Sequence, residues 1–567
     1  MLLKKWNLLK NYDGSVPVAK QLLENRGITG ESAVEKFLNP PKSLDLIQLL
    51  DDDFKVSLES SKNIILKSIS ENEPIIVYGD YDADGVCATA ILYKTITGKM
   101  KYENCYYFIP NRFEHGYGLS NKSIDQAIEK SGGLNNDSHG VSDGRVKNNK
   151  KILFITVDSG ITAVNETDYI KSLGCSIIIT DHHQKPEILP KADNILWNDK
   201  LVGSGIAFVL ACYLGFFDEH LLSLSAIATV TDLQPVLGLN RSIVKDGLEV
   251  LNNNPPVGIK TLLKLSGKNI TEITTYDLGW IIGPRLNSSG RIVDAEDSLK
   301  LLLSNSEEEA QTYALKLNSV NSERQDKTIE MYEVASIYET SKAPKLILSS
   351  SEDYHEGIIG LVAAKLVQKY YRPSIVVSLG EEYGKGSVRS IPGVDIISAL
   401  RKYSHMFVSL GGHPMAAGFT ILRSKLEEAH SLLLAEMEKL ITEELLTPAI
   451  DIDLKIPLTK VNPEFVREVN LLKPFGMGNP EPLFLSENAG IANMNIVGKD
   501  RQHLSFRFFS GSNYYKGIFF GGAEYANSLN IGDRVDVVYS VKESEFNGSK
   551  YIELIIKDLK KSLDINR

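Results

Sequence analysis

The stretch from Ile75 to Thr95 constrains the fold more than any other part of this 567-residue chain. The apolar run Ile75-Ile76-Val77 predicts a short buried strand, and Ala88 to Thr95 predicts a helix. Between them, three carboxylates fall within five residues: Asp80, Asp82 and Asp84. Carboxylates crowded at the end of a buried strand repel one another unless a cation neutralises them. The stretch therefore predicts an α/β fold with a cation site where this strand ends.

The composition is that of a globular chain, with 43% hydrophobic and 24% charged residues. No apolar run approaches the roughly 20 residues of a membrane span, so no membrane contact is expected. The four cysteines have no C-x-x-C spacing, which argues against structural zinc and fits a reducing cytoplasm. The net charge of −10 argues mildly against a nucleic-acid partner, although an acidic total is compatible with a local basic channel.

The composition and hydrophobic pattern of the sequence divide the chain into several regions. Near-continuous apolar runs at Ile75–Val77, Ile152–Val157 and Ile177–Ile179 predict a parallel sheet buried on both faces. The polar stretch from Gly132 to Lys150 predicts a surface insertion. After Pro448, short β-branched and aromatic runs, separated by turns such as Asn547-Gly548, predict a five-stranded barrel of the OB type. The expected domains are a helical N-terminal region (1–70), a parallel-sheet α/β domain (71–300), a long connecting helix (301–342), a second α/β domain (343–440) and the barrel (449–560).

Four polar clusters each follow an apolar segment. They are Asp80 with Asp82 and Asp84, then Asp158, then Asp181-His182-His183, and finally Asp232. Ligands of doubly wound sheets bind outside the carboxyl ends of the strands, so the first three clusters should share one edge. Carboxylates mixed with imidazole favour Mn²⁺ or Mg²⁺, or Zn²⁺ if imidazole dominates. Two such ions would suit a phosphodiesterase.

Each cluster also has a simpler interpretation. A lone Asp at a strand end is commonly a helix cap or turn residue, and a His-His pair is commonly surface. The D-x-D-x-D-G pattern also resembles the start of a calcium loop, but that loop needs Glu at position twelve, where this chain has Ile91. Four clusters following successive apolar segments are hard to explain by chance, and we favour the metal site.

These motifs, in this order, closely resemble those of the DHH phosphoesterase family. The second α/β segment resembles that family's DHHA1 domain, through Gly357–Gly360, Gly384–Ser390 and Gly411–Pro414. Other stretches resemble the RecJ branch, whose members are single-strand-specific 5′→3′ DNA exonucleases of recombination and repair. Those stretches are Pro110–Arg112, Gly116–Leu119, Gly283–Asn287 with Gly290-Arg291, and Pro474–Pro480.

The resemblance implies a ligand set for two Mn²⁺ or Mg²⁺ ions. Asp158 is expected to bridge the ions, Asp84 to replace a family histidine that is absent at Ile76, and Asp181 to orient a histidine ring. His183 is expected to face the scissile phosphate. Both histidines must be neutral to bind metal, so activity is expected to fall at acid pH. The full expected ligand set is Asp80, Asp82, Asp84, Asp158, His182 and Asp232.

The resemblance also implies a pocket for the 5′-phosphate of the substrate. Ser387, Arg389 and Arg291 are expected to form it, because Arg pairs bidentately with phosphate and glycine-flanked helix N-termini favour anions. Arg112 and His413 are further expected substrate contacts, although a buried hydrogen-bonded histidine is an alternative for the latter. Aromatic residues of the barrel are expected to stack bases where they are exposed and to fill its core elsewhere.

Two alternatives to a single-stranded-DNA exonuclease stay open from the sequence. One is a phosphodiesterase of short oligonucleotides or cyclic dinucleotides, disfavoured because such enzymes resemble the two α/β domains alone. The other is a metal-free nucleic-acid-binding scaffold, disfavoured because every expected ligand is present. The resemblance further implies a cytoplasmic monomer that works with a RecQ-type helicase and single-strand-binding protein.

Overall fold

The computed structural model describes residues 4–48, 50–132, 151–267, 272–546 and 549–562. Its strands β1–β18 are Lys5–Leu8, Ile75–Tyr78, Cys105–Phe108, Leu153–Val157, Ser176–Asp181, Asn194–Trp197, Ile347–Ser351, Ser374–Leu379, Tyr383–Arg389, Phe407–His413, Ala416–Leu422, Ala449–Ile452, Leu454–Lys455, Phe484–Val497, His503–Ser510, Asn513–Phe519, Arg534–Phe546 and Ser549–Lys561. Its α-helices α1–α20 are Val18–Asn25, Glu31–Leu38, Ser43–Ile47, Asp52–Ser70, Ala83–Lys94, Arg112–His115, Asn121–Lys130, Val164–Ser172, Gly203–Tyr213, Glu219–Thr231, Gly238–Asn253, Val257–Leu265, Thr275–Asp277, Gly283–Ile292, Glu296–Leu303, Glu307–Ala335, Ile359–Tyr370, Ile396–Arg401, Leu426–Leu440 and Pro463–Asn470. Two π-helical segments add Thr95–Lys99 and Leu278–Ile282.

The chain forms two compact units. One consists of residues 40–327 together with the short segment 474–479, and the other of residues 1–39, 328–473 and 480–567. Among the described residues, none of the helices combines the length and the apolar character that a membrane span requires.

The first unit is built on a parallel sheet with strand order β3-β2-β4-β5-β6. Alternate residues of its central strands enter two different apolar cores. Ile75, Val77 and Ile155 pack with α5 and α9 on one face, and Ile76 and Phe154 pack with α7 and α8 on the other. Burial on both faces explains why these strands are nearly all apolar, and it confirms the expected parallel sheet.

The segment 474–479 is held in this unit although it lies far along the chain. The backbone N–H of Val236 donates to the carbonyl oxygen of Met477 at 2.8 Å. The fully buried Arg241 donates from Nη1 to the carbonyl oxygen of Pro474 at 3.2 Å. A Cβ on Gly476 would come within 2.7 Å of Val236, so the close approach requires glycine.

The second unit contains a sheet of order β10-β11-β9-β8-β7 and the C-terminal barrel. In the sheet β7 and β8 are parallel and the other neighbours are antiparallel. The barrel runs β14-β15-β16-β18-β17 and closes through pairing of β14 with β17. Closure removes free sheet edges, as expected for an OB-type barrel, and the expected α/β and barrel architecture is confirmed.

The structure refines several expected boundaries. The N-terminal region is mostly helical, but β1 pairs in parallel with β12, more than 400 residues away, and no local pattern reveals such a partner. The long helix is Glu307–Ala335 rather than 301–342, and Ser306 Oγ accepts from Glu309 N near its start. The expected turn at Asn547-Gly548 and all but the first residue of the expected insertion at 132–150 lie outside the described residues.

Candidate metal centre

The centre lies at the carboxyl ends of β2, β4 and β5. From β2 the chain crosses to β3 on one side, and β4 pairs with β2 on the other, so the strand order reverses between β2 and β4. A crevice opens at such a point in a parallel sheet. Asp80 follows β2, Asp158 follows β4, and Asp181 ends β5. The fold therefore brings together three of the clusters that the sequence separates.

The loop from Asp80 to Asp84 is held in one conformation by backbone hydrogen bonds. Asp82 caps α5, because its Oδ1 accepts from the N–H groups of Asp84 and Gly85 at 2.9 and 3.0 Å. Asp80 Oδ1 accepts from Tyr81 N at 2.8 Å. The capping interpretation of a lone Asp is thus correct for Asp82, and capping leaves its other oxygen available to a cation.

Asp84 faces the N-terminus of α9 as well as the centre. Its Oδ2 accepts from Gly203 N at 2.6 Å and its Oδ1 from Ser204 N at 2.8 Å. The same Oδ2 lies 3.8 Å from His182 Nε2. Asp84 therefore fixes a neighbouring helix while its carboxylate borders the centre.

Asp158 occupies the middle of the centre and is only 1% exposed. Its Oδ1 lies 3.0 Å from His182 Nε2, outside hydrogen-bond geometry, and has no hydrogen-bond partner among the described residues. Its φ of 59° is left-handed, which is uncommon for a residue with a side chain and frequent at functional sites. A buried carboxylate oxygen needs a partner, and where no hydrogen-bond donor supplies one, a bound cation can.

The two histidines differ in their anchoring. Asp181 is buried and accepts at Oδ1 from His182 N, His183 N and His183 Nδ1 at 2.7, 3.0 and 2.8 Å. The Nε2 of His183 is therefore turned away from Asp181, and it lies 3.0 Å from the hydroxyl of Tyr117. This arrangement fits the expectation that Asp181 orients a histidine ring.

In the part of the chain that the structure describes, three sets of side chains each place one ligand atom per residue within 4.8 Å of the others. Asp158 belongs to two of these sets and His182 also to two, which fits a centre for two ions with a shared carboxylate. Asp232, at the end of α10, joins through its Oδ2, 3.7 Å from His182 Nε2. The sets are Asp80 with Asp82 and Asp158, Asp158 with His182 and His183, and Asp84 with His182 and Asp232.

The electrostatics of the centre also favour a bound cation, because ionised carboxylates are unfavourable there without one. Burial, and then repulsion from neighbouring carboxylates, raises the pKa of Asp80 and of Asp232 to about 8. The same causes raise the pKa of Asp158 well above its usual range. Burial alone would lower the pKa of His183, but the hydrogen bond with Asp181 raises it to about 9. Oxygen-rich ligands with imidazole suit Mn²⁺ or Mg²⁺, and the residues present fit either ion.

Mn²⁺ is expected to stabilise the protein more at about pH 8 than at about pH 6, because carboxyl protons must leave before the ion binds. In the metal-free protein, the raised pKa values of Asp80 and Asp232 stabilise the folded state. This contribution is full below the usual carboxyl pKa of 3.8 and is lost as pH rises through about 8. The melting temperature with and without Mn²⁺ at each pH measures the difference. An Mn²⁺-induced shift that is equal at both pH values would contradict the expectation.

The expected substrate contacts are distributed over both units. In the first unit, the guanidinium of Arg112 lies 4.2 Å from the ring centroid of Tyr81, next to Asp80. Arg291 is half-buried near the end of α14. In the second unit, Arg389 Nη1 donates to Ser387 Oγ at 3.1 Å. His413, at the end of β10, is exposed rather than buried.

Three residues to which the sequence motifs assigned no role also support the centre. Asn287 Oδ1 accepts from Ala83 N at 2.7 Å, and a Cβ on Gly290 would collide with the carbonyl oxygen of Tyr81. Tyr117 contacts His183 as described above. All three lie inside motifs of the family resemblance, which was the available signal, but their partners are distant in sequence.

Family models match three parts of the chain. They are the N-terminal domain of the DHH family over residues 74–230, the DHHA1 domain over 343–442 and the RecJ OB domain over 452–558. Together with the carboxylate and histidine centre on the first sheet, this fold defines a metal-dependent phosphoesterase of the DHH class.

Comparison with known relatives identifies the family within the DHH class. The single-stranded-DNA-specific exonuclease RecJ of Bacillus subtilis is 34% identical over 562 residues, covering 96% of this chain and 68% of the relative. RecJ of Thermus thermophilus in complex with Mn²⁺ matches with a TM-score of 0.79 at 25% identity, covering 99% of this chain and 80% of that one. Its complex with Mg²⁺ matches at 0.74 and 24%, covering 99% and 79%. This chain belongs to the RecJ family of single-stranded-DNA-specific exonucleases.

Proposed function

We propose that this protein binds single-stranded DNA and removes nucleotides from its 5′ end, releasing 5′-mononucleotides in recombination and repair. The observation that carries the proposal is Asp158, a buried carboxylate shared by two candidate ligand sets with an oxygen that lacks a donor. Family membership favours single-stranded DNA over the cyclic dinucleotides and over the metal-free scaffold considered above.

The chain's own side chains would perform distinct tasks at the scissile phosphate. Asp80, Asp82, Asp84, Asp158, His182 and Asp232 would hold the ions. When bound, divalent ions supply an activated water and stabilise the leaving oxygen of an in-line displacement. His183, oriented by Asp181, would present Nε2 to a phosphate oxygen in place of the Tyr117 hydroxyl. The hydrogen bond with Asp181 outweighs burial and raises the pKa of His183 to about 9, so its imidazolium would complement the charge of that phosphate, and only His182 would need to be neutral to bind metal.

A pocket at the N-terminus of α17 supports recognition of the 5′-phosphate. A Cβ on Gly360 would lie 3.0 Å from both Arg389 Nη2 and Ser387 Oγ, so glycine keeps these donors accessible from the helix N-terminus. Helix N-termini and guanidinium groups both favour phosphate. We include Arg291 as a separate phosphate contact of the first unit, Arg112 beside the metal centre, and His413 as a further contact.

The decisive experiment uses a 5′-phosphorylated, internally labelled single-stranded 30-mer with Mn²⁺. Wild type is compared with Asp158→Asn, and a 5′-blocked 30-mer is the substrate control. Mononucleotides released from the 5′ end by wild type alone are the expected result. Survival of the 30-mer with cleavage of cyclic dinucleotides would favour the alternative phosphodiesterase, and binding without any cleavage would favour the scaffold.

Arg389→Gln is expected to reduce the preference for a 5′-phosphorylated over a 5′-hydroxyl 30-mer by about tenfold or more, since a charge-assisted hydrogen bond is lost. The ratio of kcat/KM for the two substrates measures this preference. Arg401→Gln, which removes an exposed charge from α18 in the same unit, is the matched control. An unchanged ratio in Arg389→Gln would place the phosphate elsewhere.

The cellular setting belongs to the same proposal. A monomer acting in the cytoplasm on strands opened by a RecQ-type helicase, alongside single-strand-binding protein, fits an exonuclease of recombination. The four cysteines, all among the described residues, form no disulfide, and Cys87, Cys105 and Cys175 are buried, which fits a reducing compartment.

A further inference from the structure

Lys185 and Trp197 form a contact directly beside His183. The Lys185 ammonium lies 3.8 Å from the ring centroid of Trp197. The indole Nε1–H of Trp197 donates to the carbonyl oxygen of His183 at 2.8 Å. Trp197 also ends β6 in parallel register with Asp181 of β5. The pair is therefore joined to the residue expected to face the scissile phosphate and to the carboxylate that orients it.

The Lys185 ammonium contacts an aromatic ring, and its charge is not neutralised by a described carboxylate. Its side chain is exposed, and among the residues that the structure describes no carboxylate lies within ion-pair distance of its ammonium. A cation over an indole face is attracted by the ring and keeps its full charge. An ordered ammonium without a counterion suits the recognition of phosphate as a point charge.

We propose that Lys185, held by its contact with Trp197, binds the phosphodiester group next to the scissile one in the same DNA strand. Trp197 in turn positions His183. The inference rests on the proposed function. Lys185 follows His183 by two positions, a reach of at most about 7 Å along the backbone, which is comparable to the spacing of successive phosphates in a strand. The contact would hold the strand in register with the metal centre.

Lys185→Gln tests the phosphate contact. We expect about a fivefold rise in KM for the single-stranded 30-mer, kcat within about twofold of wild type, and a salt dependence of log KM shallower by about 0.7. Lys191→Gln removes the same charge from an exposed position in the same segment and is expected to match wild type. Equal kinetics in the two variants would overturn the contact.

Trp197→Phe tests the positioning role, because it keeps a ring beneath Lys185 and removes the Nε1–H donor. We expect kcat to fall about tenfold with KM within about twofold of wild type and an unchanged melting temperature. A kcat equal to that of wild type would overturn the role, as would a rise in KM alone.

Binding measurements separate this inference from the proposed function. The 30-mer is titrated against Asp158→Asn and against the double variant with Lys185→Gln, neither of which needs to cleave. Binding about fivefold weaker in the double variant supports the contact even if wild type cleaves another substrate. Equal binding refutes the contact even if wild type is an exonuclease.

Discussion

Asp158→Asn is expected to lower exonuclease activity by about 10³-fold or more while raising the melting temperature of the metal-free protein. Loss of the proposed shared ion ligand would remove several kcal/mol of transition-state stabilisation, and about 1.4 kcal/mol corresponds to each tenfold in rate. Without metal, the same change removes a carboxyl whose ionised form is disfavoured by burial and by the neighbouring carboxylates. Asn is chosen because it tolerates the left-handed backbone of this position, whereas Ala would add strain.

The two halves of this expectation need separate measurements. Activity on the 30-mer is followed with Mn²⁺, and thermal unfolding is followed with and without Mn²⁺. The metal-free melting temperature should rise by about 2–4 °C, and the Mn²⁺-induced increase seen in wild type should be lost. Asp168→Asn, on the exposed face of α8, is the matched control and should change neither quantity. A variant that is destabilised without metal would show that Asp158 is structural.

Gly203→Ala is expected to reduce activity by about 10²-fold or more, although the added group is one methyl. The new Cβ would lie 2.5 Å from Asp158 Cβ and 2.8 Å from its Cα, so the carboxylate or α9 must move. Movement of α9 would also disturb Asp84, whose oxygens accept from the first backbone N–H groups of that helix. Both changes misplace candidate ligands of the same centre.

Gly205→Ala provides the control for this prediction within the same helical turn. Its new Cβ would meet Leu201 Cβ at 3.4 Å, an ordinary contact, so activity and metal response should stay near those of wild type. Both variants are assayed for activity and for the Mn²⁺ concentration that gives half-maximal rate. If the two behaved alike, the close approach of α9 to Asp158 would not matter for the centre.

The sequence was informative about the centre because parallel strands all end at one edge of a sheet. Motifs that follow separate apolar runs could therefore be assigned to one place before any contact was known. Asp80, Asp158 and Asp181 follow this logic. The five barrel strands were predicted from a different and local signal, short β-branched and aromatic runs separated by turns.

What the sequence did not reveal depends on contacts between distant segments. Asn287 holds the loop at Ala83 from more than 200 residues away, and β1 pairs with β12 across most of the chain. Local periodicity contains no information on such partners. The Nε1–H of Trp197 is similar, because nothing in the pattern of β6 indicates that this side chain reaches His183.

The segment 474–479 has a consequence for how the protein matures. In the loop after Asp232, a backbone N–H donates a hydrogen bond to the carbonyl oxygen of Met477, and the buried Arg241 donates one to the carbonyl oxygen of Pro474. During synthesis these partners emerge from the ribosome only after the residues up to 473 have been made. Domains generally fold as units in the order of synthesis, yet this unit is discontinuous and is completed late. Nascent chains are thus expected to lack the finished support of the nuclease centre until residues 474–479 have left the ribosome.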